Sequence, residues 1–180
     1  MGRISSRRPY HGRVISVDVD MVQFPDGSTG ELEIVRHPGA SAVIPFLDDP
    51  QSDDPRVVLI RQYRYAADGY VYEIPAGRLD AGEDPRTCAL RELREETGYT
   101  ATRLIPLTTF YTTPGFTDEK IHLFAAAGLS EGESQRESDE ILDLAPVSLS
   151  QALQMIETGE MVDGKSMIAI LFAAHFKPAR

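Results

Sequence analysis

Cysteine, long apolar runs and positive charge are scarce in this 180-residue chain. Its single cysteine, Cys88, excludes an internal disulfide and reads as a buried, inert thiol on the apolar side of a helix. No apolar run approaches the roughly 20 residues that a membrane-spanning helix needs. The longest, Met167 to Ala174, reads as one helix face, so no membrane partner is expected. Arginines at positions 3, 7, 8 and 13 crowd the N-terminus, but the apolar segment of a secretory signal does not follow, and a cytoplasmic location is the expectation. Lys and Arg number 18 against 28 acids, for a net charge of -10. The first thirteen residues hold four arginines and no acid, so the remainder carries -14 (-10 minus 4). That charge disfavours nucleic acid as a partner. The arginine arm reads as a partly disordered terminus, with capture of an acidic partner as the alternative.

The 42% hydrophobic fraction is enough for a real core, in one domain or one domain with a small appendage. From Gly12 to Val35 apolar and polar residues alternate around Phe24-Pro25-Asp26-Gly27-Ser28, which predicts a hairpin-like strand pair. His37-Pro38-Gly39 marks a boundary. Strands are then expected over 42–47, 57–65, 70–74, 104–111 and 121–127, with a polar loop over 48–55 and a long acidic stretch over 128–145. Ser148 caps a predicted helix to Thr158, and a terminal helix over 163–176 is expected to turn Met167, Ile168, Leu171 and Phe172 inward. Strands and helices intermix without repeats or low-complexity segments.

Residues 77–99 carry the chemistry. Asp84 is a suitable N-cap, Pro85 suits the first helical position and Gly98 the residue past the C-terminus, bracketing a helix of roughly three to four turns. Glu92, Glu95 and Glu96 share a face of that helix, while Ala89, Leu90 and Leu93 offer a core-facing stripe. Neighbouring carboxylates repel unless a cation or buried protons compensate. Hard oxygen ligands suit Mg²⁺ or Mn²⁺, which bind phosphates through their remaining positions. The competing reading is a solvated acidic face with an Arg91 to Glu95 pair. Gly77, Glu83 and Arg91-Glu92-Leu93-Arg94-Glu95-Glu96-Thr97-Gly98 at fixed spacing favour the first reading.

These residues resemble the Nudix box in full, with Tyr99 where that family usually has an aliphatic residue. The flanks Gln62-Tyr63-Arg64, Glu73-Ile74-Pro75-Ala76-Gly77 and Tyr111 to Glu119 resemble the ADP-ribose pyrophosphatase branch. Pro114, sixteen residues after Gly98 (114 minus 98), stands about where that branch carries its diagnostic proline. The resemblance implies an α/β/α sandwich with a mixed sheet over residues 39–180, preceded by a small β unit over 1–38 through which branch members dimerise. It implies Mg²⁺-dependent, or Mn²⁺-dependent, hydrolysis of ADP-ribose or a related nucleoside diphosphate sugar such as GDP-mannose or ADP-glucose. A rival role is a non-catalytic ADP-ribose sensor, which tends to have a degenerate box and an added DNA-binding domain.

Carried over by position, Glu92 and Glu96 are metal ligands, with Glu95 and the Ala76 carbonyl completing the set and Glu83 as a further candidate or a loop-ordering residue. Arg91 resembles the box arginine that orients the glutamates. Related enzymes keep a general base on the acidic loop, for which Glu140 is the choice and Glu137 and Asp139 are alternatives. Arg64 and Glu73 are candidates for the diphosphate or ribose, and Pro114 and Phe116 for the nucleoside. The branch often has Arg-Glu ahead of His-Pro-Gly where this chain has Leu32-Glu33, so Glu33 is the candidate for a contact across a dimer.

Overall fold

The N-terminal arm is a strand. A computed structural model describes residues 1–132 and 142–176, and in it Gly2–His11 forms β1, paired antiparallel with β2 (Ser16–Gln23) from Gly2 opposite Gln23 to His11 opposite Ser16. The expectation of a partly disordered terminus is therefore corrected. The strand is fixed by a partner its own composition does not reveal: Arg8 donates through Nε to Asp18 Oδ1 at 2.6 Å and through Nη2 to Oδ2 at 3.1 Å. The arm's cation thus meets an acid of its own chain. β2 runs on through a turn into β3 (Thr29–Arg36), giving the order β1-β2-β3. Gly27 takes φ 87° in that turn, a conformation open to glycine, and Asp26 accepts from the Ser28 N–H and hydroxyl.

Two compact units make up the chain. The first joins Met1–Gly39 to Phe110–Ile121, so it takes in a distant segment besides the N-terminal strands. That segment is fastened to the end of β3: Val35 N–H donates to Phe116 O at 2.8 Å, Asp118 N–H to Val35 O at 3.3 Å, and Asp118 accepts from Arg36 and from the His37 N–H.

The second unit, Ala40–Thr109 with His122–Arg180, has the α/β architecture anticipated above. Its strands are β4 (Ala40–Pro45), β5 (Arg56–Arg64), β6 (Gly69–Glu73), β7 (Ala76–Arg78), β8 (Tyr99–Tyr111), β9 (Lys120–Glu131) and β10 (Leu142–Ser148). They form the sheets β7-β4-β9-β8 and β10-β5-β6. The helices are α1 (Pro85–Thr97), α2 (Leu149–Glu157) and α3 (Gly164–Phe176). α1 packs through Ala89 and Leu93 on Val43, Phe124 and Ala126, all buried. A fully buried side chain of this kind contributes about 1.5–3 kcal/mol. α2 starts with a complete capping box, Ser148 and Gln151 each serving the other's backbone.

Two apolar stripes differ from expectation. On α1, Leu90 is 40% exposed, and the buried face comprises Cys88, Ala89, Glu92, Leu93, Glu96 and Thr97. Steps of three and four residues put Glu92 and Glu96 beside Ala89 and Leu93, so the two glutamates face inward. On α3 the buried positions are Ser166, Ala169, Ile170 and Ala173, whereas Leu171 is 41% exposed and Met167, Ile168 and Phe172 are half-buried. The buried stripe thus mixes small residues with Ile170, and the other large apolar residues sit on its flanks.

Candidate active site

Asp84 and Gly98 delimit α1 as the spacing predicts. The Asp84 carboxylate accepts from the Arg86 N–H, and Gly98, at φ 77°, donates its N–H to Arg94 O. The helix thereby presents its acids to the strand that precedes it. Glu96, 1% exposed, accepts from the Ala76 N–H through Oε2 at 3.0 Å. Glu92, 7% exposed, lies against Gly77 so closely that a Cβ on that glycine would fall 1.8 Å from Oε1. Gly77 is thus a cradle for the Glu92 carboxylate, and any side chain there would displace it.

One arginine sits among the acids. Arg91 donates to both Glu83 oxygens at 3.0 Å, to Glu92 Oε1 at 2.5 Å and to Glu95 Oε2 at 3.0 Å, and reaches the Arg78 carbonyl at 3.2 Å. It therefore binds the 78–83 segment to the helix as well as orienting glutamates. Arg91 holds the Glu83 carboxyl down to about 2, with the Asp80 N–H adding to the effect against some burial. The guanidinium is raised in turn, chiefly by Glu83. Cys88 is fully buried behind the cluster, and burial, with the charges of Glu83 and Glu92, pushes its thiol up to about 11. At neutral pH it is a thiol, which leaves it no nucleophilic role.

The donor set fits a hard divalent cation. Glu83, Glu92, Glu95 and Glu96 bring four negative charges against the single charge of Arg91; on strand β7 the Ala76 N–H holds Glu96, and Gly77 leaves room for the Glu92 carboxylate. Among the described residues no three acidic, His or Cys side chains converge on one point; Arg91 lies between them. Arg91 occupies one oxygen of Glu92 and one of Glu95, on which a cation would also draw. Glu92, Glu95 and Glu96 with the Ala76 carbonyl are the groups that would hold the ion, while both Glu83 oxygens are engaged by Arg91 and the Asp80 N–H.

Arg64 and Glu73 meet directly. Arg64 donates through Nε and Nη2 to the two Glu73 oxygens at 2.6 and 2.9 Å. Burial opposes the Glu73 charge, yet Arg64 and Lys165 together hold its carboxyl below the usual range. Arg64 is raised by that hydrogen bond, and the charges of Glu96 and Asp163 also act on it. A cleft of about 380 Å³ opens beside the pair, lined by Arg64, Glu73, Asp163 and Lys165 with apolar Val71 and Val162. Sequence reasoning missed Lys165 and Asp163. Their signal was an acid and a base bracketing the first turn of α3, which read only as a helix start.

Glu33, Pro114 and Phe116 belong to the first unit. Glu33 is exposed on β3 opposite Val19, and Phe116 is 55% exposed on the segment fastened to Val35. Glu140, Glu137 and Asp139 fall outside the described residues.

The NUDIX domain family matches residues 36–168. A Bacillus methanolicus protein named methanol dehydrogenase activator is 44% identical over 171 residues, covering 94% of this chain and 90% of that one. An ADP-ribose pyrophosphatase of Bacillus subtilis strain 168 is 42% identical over 171 residues, with the same shares of 94% and 90%. A solved structure described as an ADP compounds hydrolase superposes with a TM-score of 0.82 over 97% of this chain and 92% of that chain, at 21% identity, a likeness of fold. The carboxylate helix cradled by Gly77 lies within the matched span, and the chain belongs to the Nudix hydrolase family.

Proposed function

We propose that this protein hydrolyses the diphosphate bond of ADP-ribose, giving AMP and ribose 5-phosphate, with Mg²⁺ or alternatively Mn²⁺. The observation that carries the reading is the pair of buried carboxylates, Glu92 and Glu96, packed against Ala76 and Gly77 of β7 with an excess of negative charge around them. The 42% identity to a protein named for this activity, across most of both chains, supports the substrate. A divalent cation bound there supplies charge neutralisation for the diphosphate and lowers the pKa of a coordinated water.

The chain's own residues then have distinct tasks. Glu92, Glu95, Glu96 and the Ala76 carbonyl would hold the ion. Arg91 keeps the glutamates aligned through its bonds to Glu83, Glu92 and Glu95. Glu140 takes the proton of the attacking water, which adds in line to one phosphorus while the bond to the bridging oxygen breaks and the other phosphate leaves. Arg64 faces the diphosphate, positioned by Glu73. On the first unit, Phe116 and Pro114 are the candidates for the nucleoside. The protein acts as a homodimer through the 1–38 strand unit, where β1 offers an exposed edge and Glu33 an exposed carboxylate to a second copy's substrate. Its one cysteine, a buried thiol, suits a cytoplasmic setting.

The test is hydrolysis of ADP-ribose, ADP-glucose and GDP-mannose with Mg²⁺ by wild type and by Glu96→Gln, with products identified. Release of AMP and ribose 5-phosphate from ADP-ribose, lost in the variant, is the expected result. Preference for another sugar nucleotide would replace the substrate but keep the chemistry. Tight ADP-ribose binding without turnover of any compound would make the protein a sensor.

A further inference from the structure

Lys165 stands in a cleft where every neighbouring charge has a named partner, and the sum of those charges is what makes it consequential. Its Nζ bonds both Glu73 Oε2 and, at 3.0 Å, Asp163 Oδ2. Glu73 is 3% exposed and already accepts two hydrogen bonds from Arg64. Two cations, Arg64 and Lys165, and two acids, Glu73 and Asp163, thus line one cleft with zero net charge (2 minus 2). Without Lys165 the cleft would carry -1, in a chain already at -10 and beside the glutamates of α1. A diphosphate would then meet repulsion on this side.

The attachment is also directional. Asp163 Oδ2 accepts from the Ser166 N–H at 3.0 Å and the Ser166 hydroxyl at 2.5 Å, and Ser166 Oγ accepts from the Ile74 N–H at 2.8 Å. The first turn of α3 therefore grips both the Glu73 side chain and the backbone that follows it. With Lys165 sharing Oε2, the Glu73 charge is compensated twice, and Arg64, whose side chain is 42% exposed, keeps positive charge to offer outward.

We propose that Lys165 is a positioning residue for substrate binding: acting through Glu73, it holds Arg64 oriented and electrostatically available to the diphosphate of the substrate. This rests on the diphosphate-hydrolase reading given above. Asp163 works against it, because it draws part of the Lys165 charge away.

The two residues predict opposite signs. Lys165→Met should raise KM for ADP-ribose about tenfold, which is about 1.4 kcal/mol of binding, with kcat within about twofold. Lys165→Arg should recover most of the loss. Asp163→Asn keeps a competent cap for α3 but removes a negative charge, and should lower KM severalfold. The same order should appear in ADP-ribose binding measured calorimetrically in EDTA, with no metal and no turnover, and the spread should shrink as salt is raised. An unchanged KM in Lys165→Met, a fall in kcat at constant KM, or an Asp163→Asn that weakens binding as Lys165→Met does, would each overturn the proposal. Were Lys165→Met to fold poorly, Asp163→Asn alone would still decide by its sign. Failure of the wild type to hydrolyse ADP-ribose would instead refute the substrate reading, and binding in EDTA would still report on Lys165.

Discussion

Two clusters in this molecule place an arginine among three acids, and only one of them is suited to a metal. On α1, Arg91 contacts Glu83, Glu92 and Glu95, with Glu96 alongside held by the Ala76 N–H. In the first unit, Arg36 contacts Asp18, Asp20 and Asp118, and Arg8 adds a second cation on Asp18. The first sums to -3 (one cation, four acids), the second to -1 (two cations, three acids). The difference teaches that a group of carboxylates is not by itself a cation site. The surplus charge, and the β7 backbone at Ala76 and Gly77 against which Glu96 and Glu92 lie, separate the α1 cluster from a structural knot of similar composition.

The largest break in that comparison comes from neutralising one acid in each cluster. Glu92→Gln should lower kcat by about three orders of magnitude, since several kcal/mol of transition-state stabilisation would depend on the ion it is proposed to hold. Asp20→Asn should leave kcat per folded molecule unchanged and cost about 1–3 kcal/mol of stability through its lost bond to Arg36. Steady-state kinetics with urea unfolding on both variants reads the two effects. A catalytic loss in Asp20→Asn equal to that in Glu92→Gln would erase the distinction.

Removing the arginines sharpens it. Arg91→Ala and Arg36→Ala each strip a shared partner from three acids, and each should cost about 2–3 kcal/mol in metal-free protein. For a chain of this size that corresponds to roughly 4–12 °C in Tm. Saturating Mg²⁺ should restore most of the loss in Arg91→Ala, because the ion binds the oxygens that Arg91 vacates and stabilises by mass action. It should restore little in Arg36→Ala. Thermal melts with and without Mg²⁺ give the answer, and equal rescue of both would mean that either cluster takes the ion.

How much of this was legible in the sequence follows from where the partners lie. The α1 helix, its Asp84 cap, its Gly98 stop and the acids on it are local features, read from spacing over some twenty residues. The hairpin turn at Pro25-Asp26-Gly27 is local too. The arm was misread because Arg8 finds Asp18 only once β1 and β2 have paired. Lys165 escaped because Glu73 is 92 residues away and the chain between them says nothing of their meeting. On α3 the inward stripe is Ser166, Ala169, Ile170 and Ala173, and its first member is fixed by a bond to the Ile74 N–H, 92 residues away, which apolar periodicity does not show.

The finest contrast lies in titration. Asp18 and Glu83 are both held to about 2, Asp18 first by its hydrogen bond to Arg8 and then by Arg36, Glu83 by Arg91 with help from the Asp80 N–H. A carboxyl depressed in the folded state stabilises the protein above its unfolded value, near 3.8 for Asp and 4.5 for Glu, and that stability is lost as pH falls towards 2. Both groups therefore feed the acid limb of the stability curve below about pH 4.5. Their dependence on a single arginine differs. In Arg8→Ala, Asp18 keeps Arg36, so its titration should move up only part of the way. In Arg91→Ala, Glu83 keeps the Asp80 N–H and the Cys88 thiol but no cation, so it should return most of the way to the ordinary range. Carboxyl-carbon NMR titrations of the two variants in metal-free buffer measure both midpoints directly. A larger upward move for Asp18 than for Glu83 would mean that Arg36 contributes little to Asp18, and that the first unit's cluster depends on a single arginine just as α1 does.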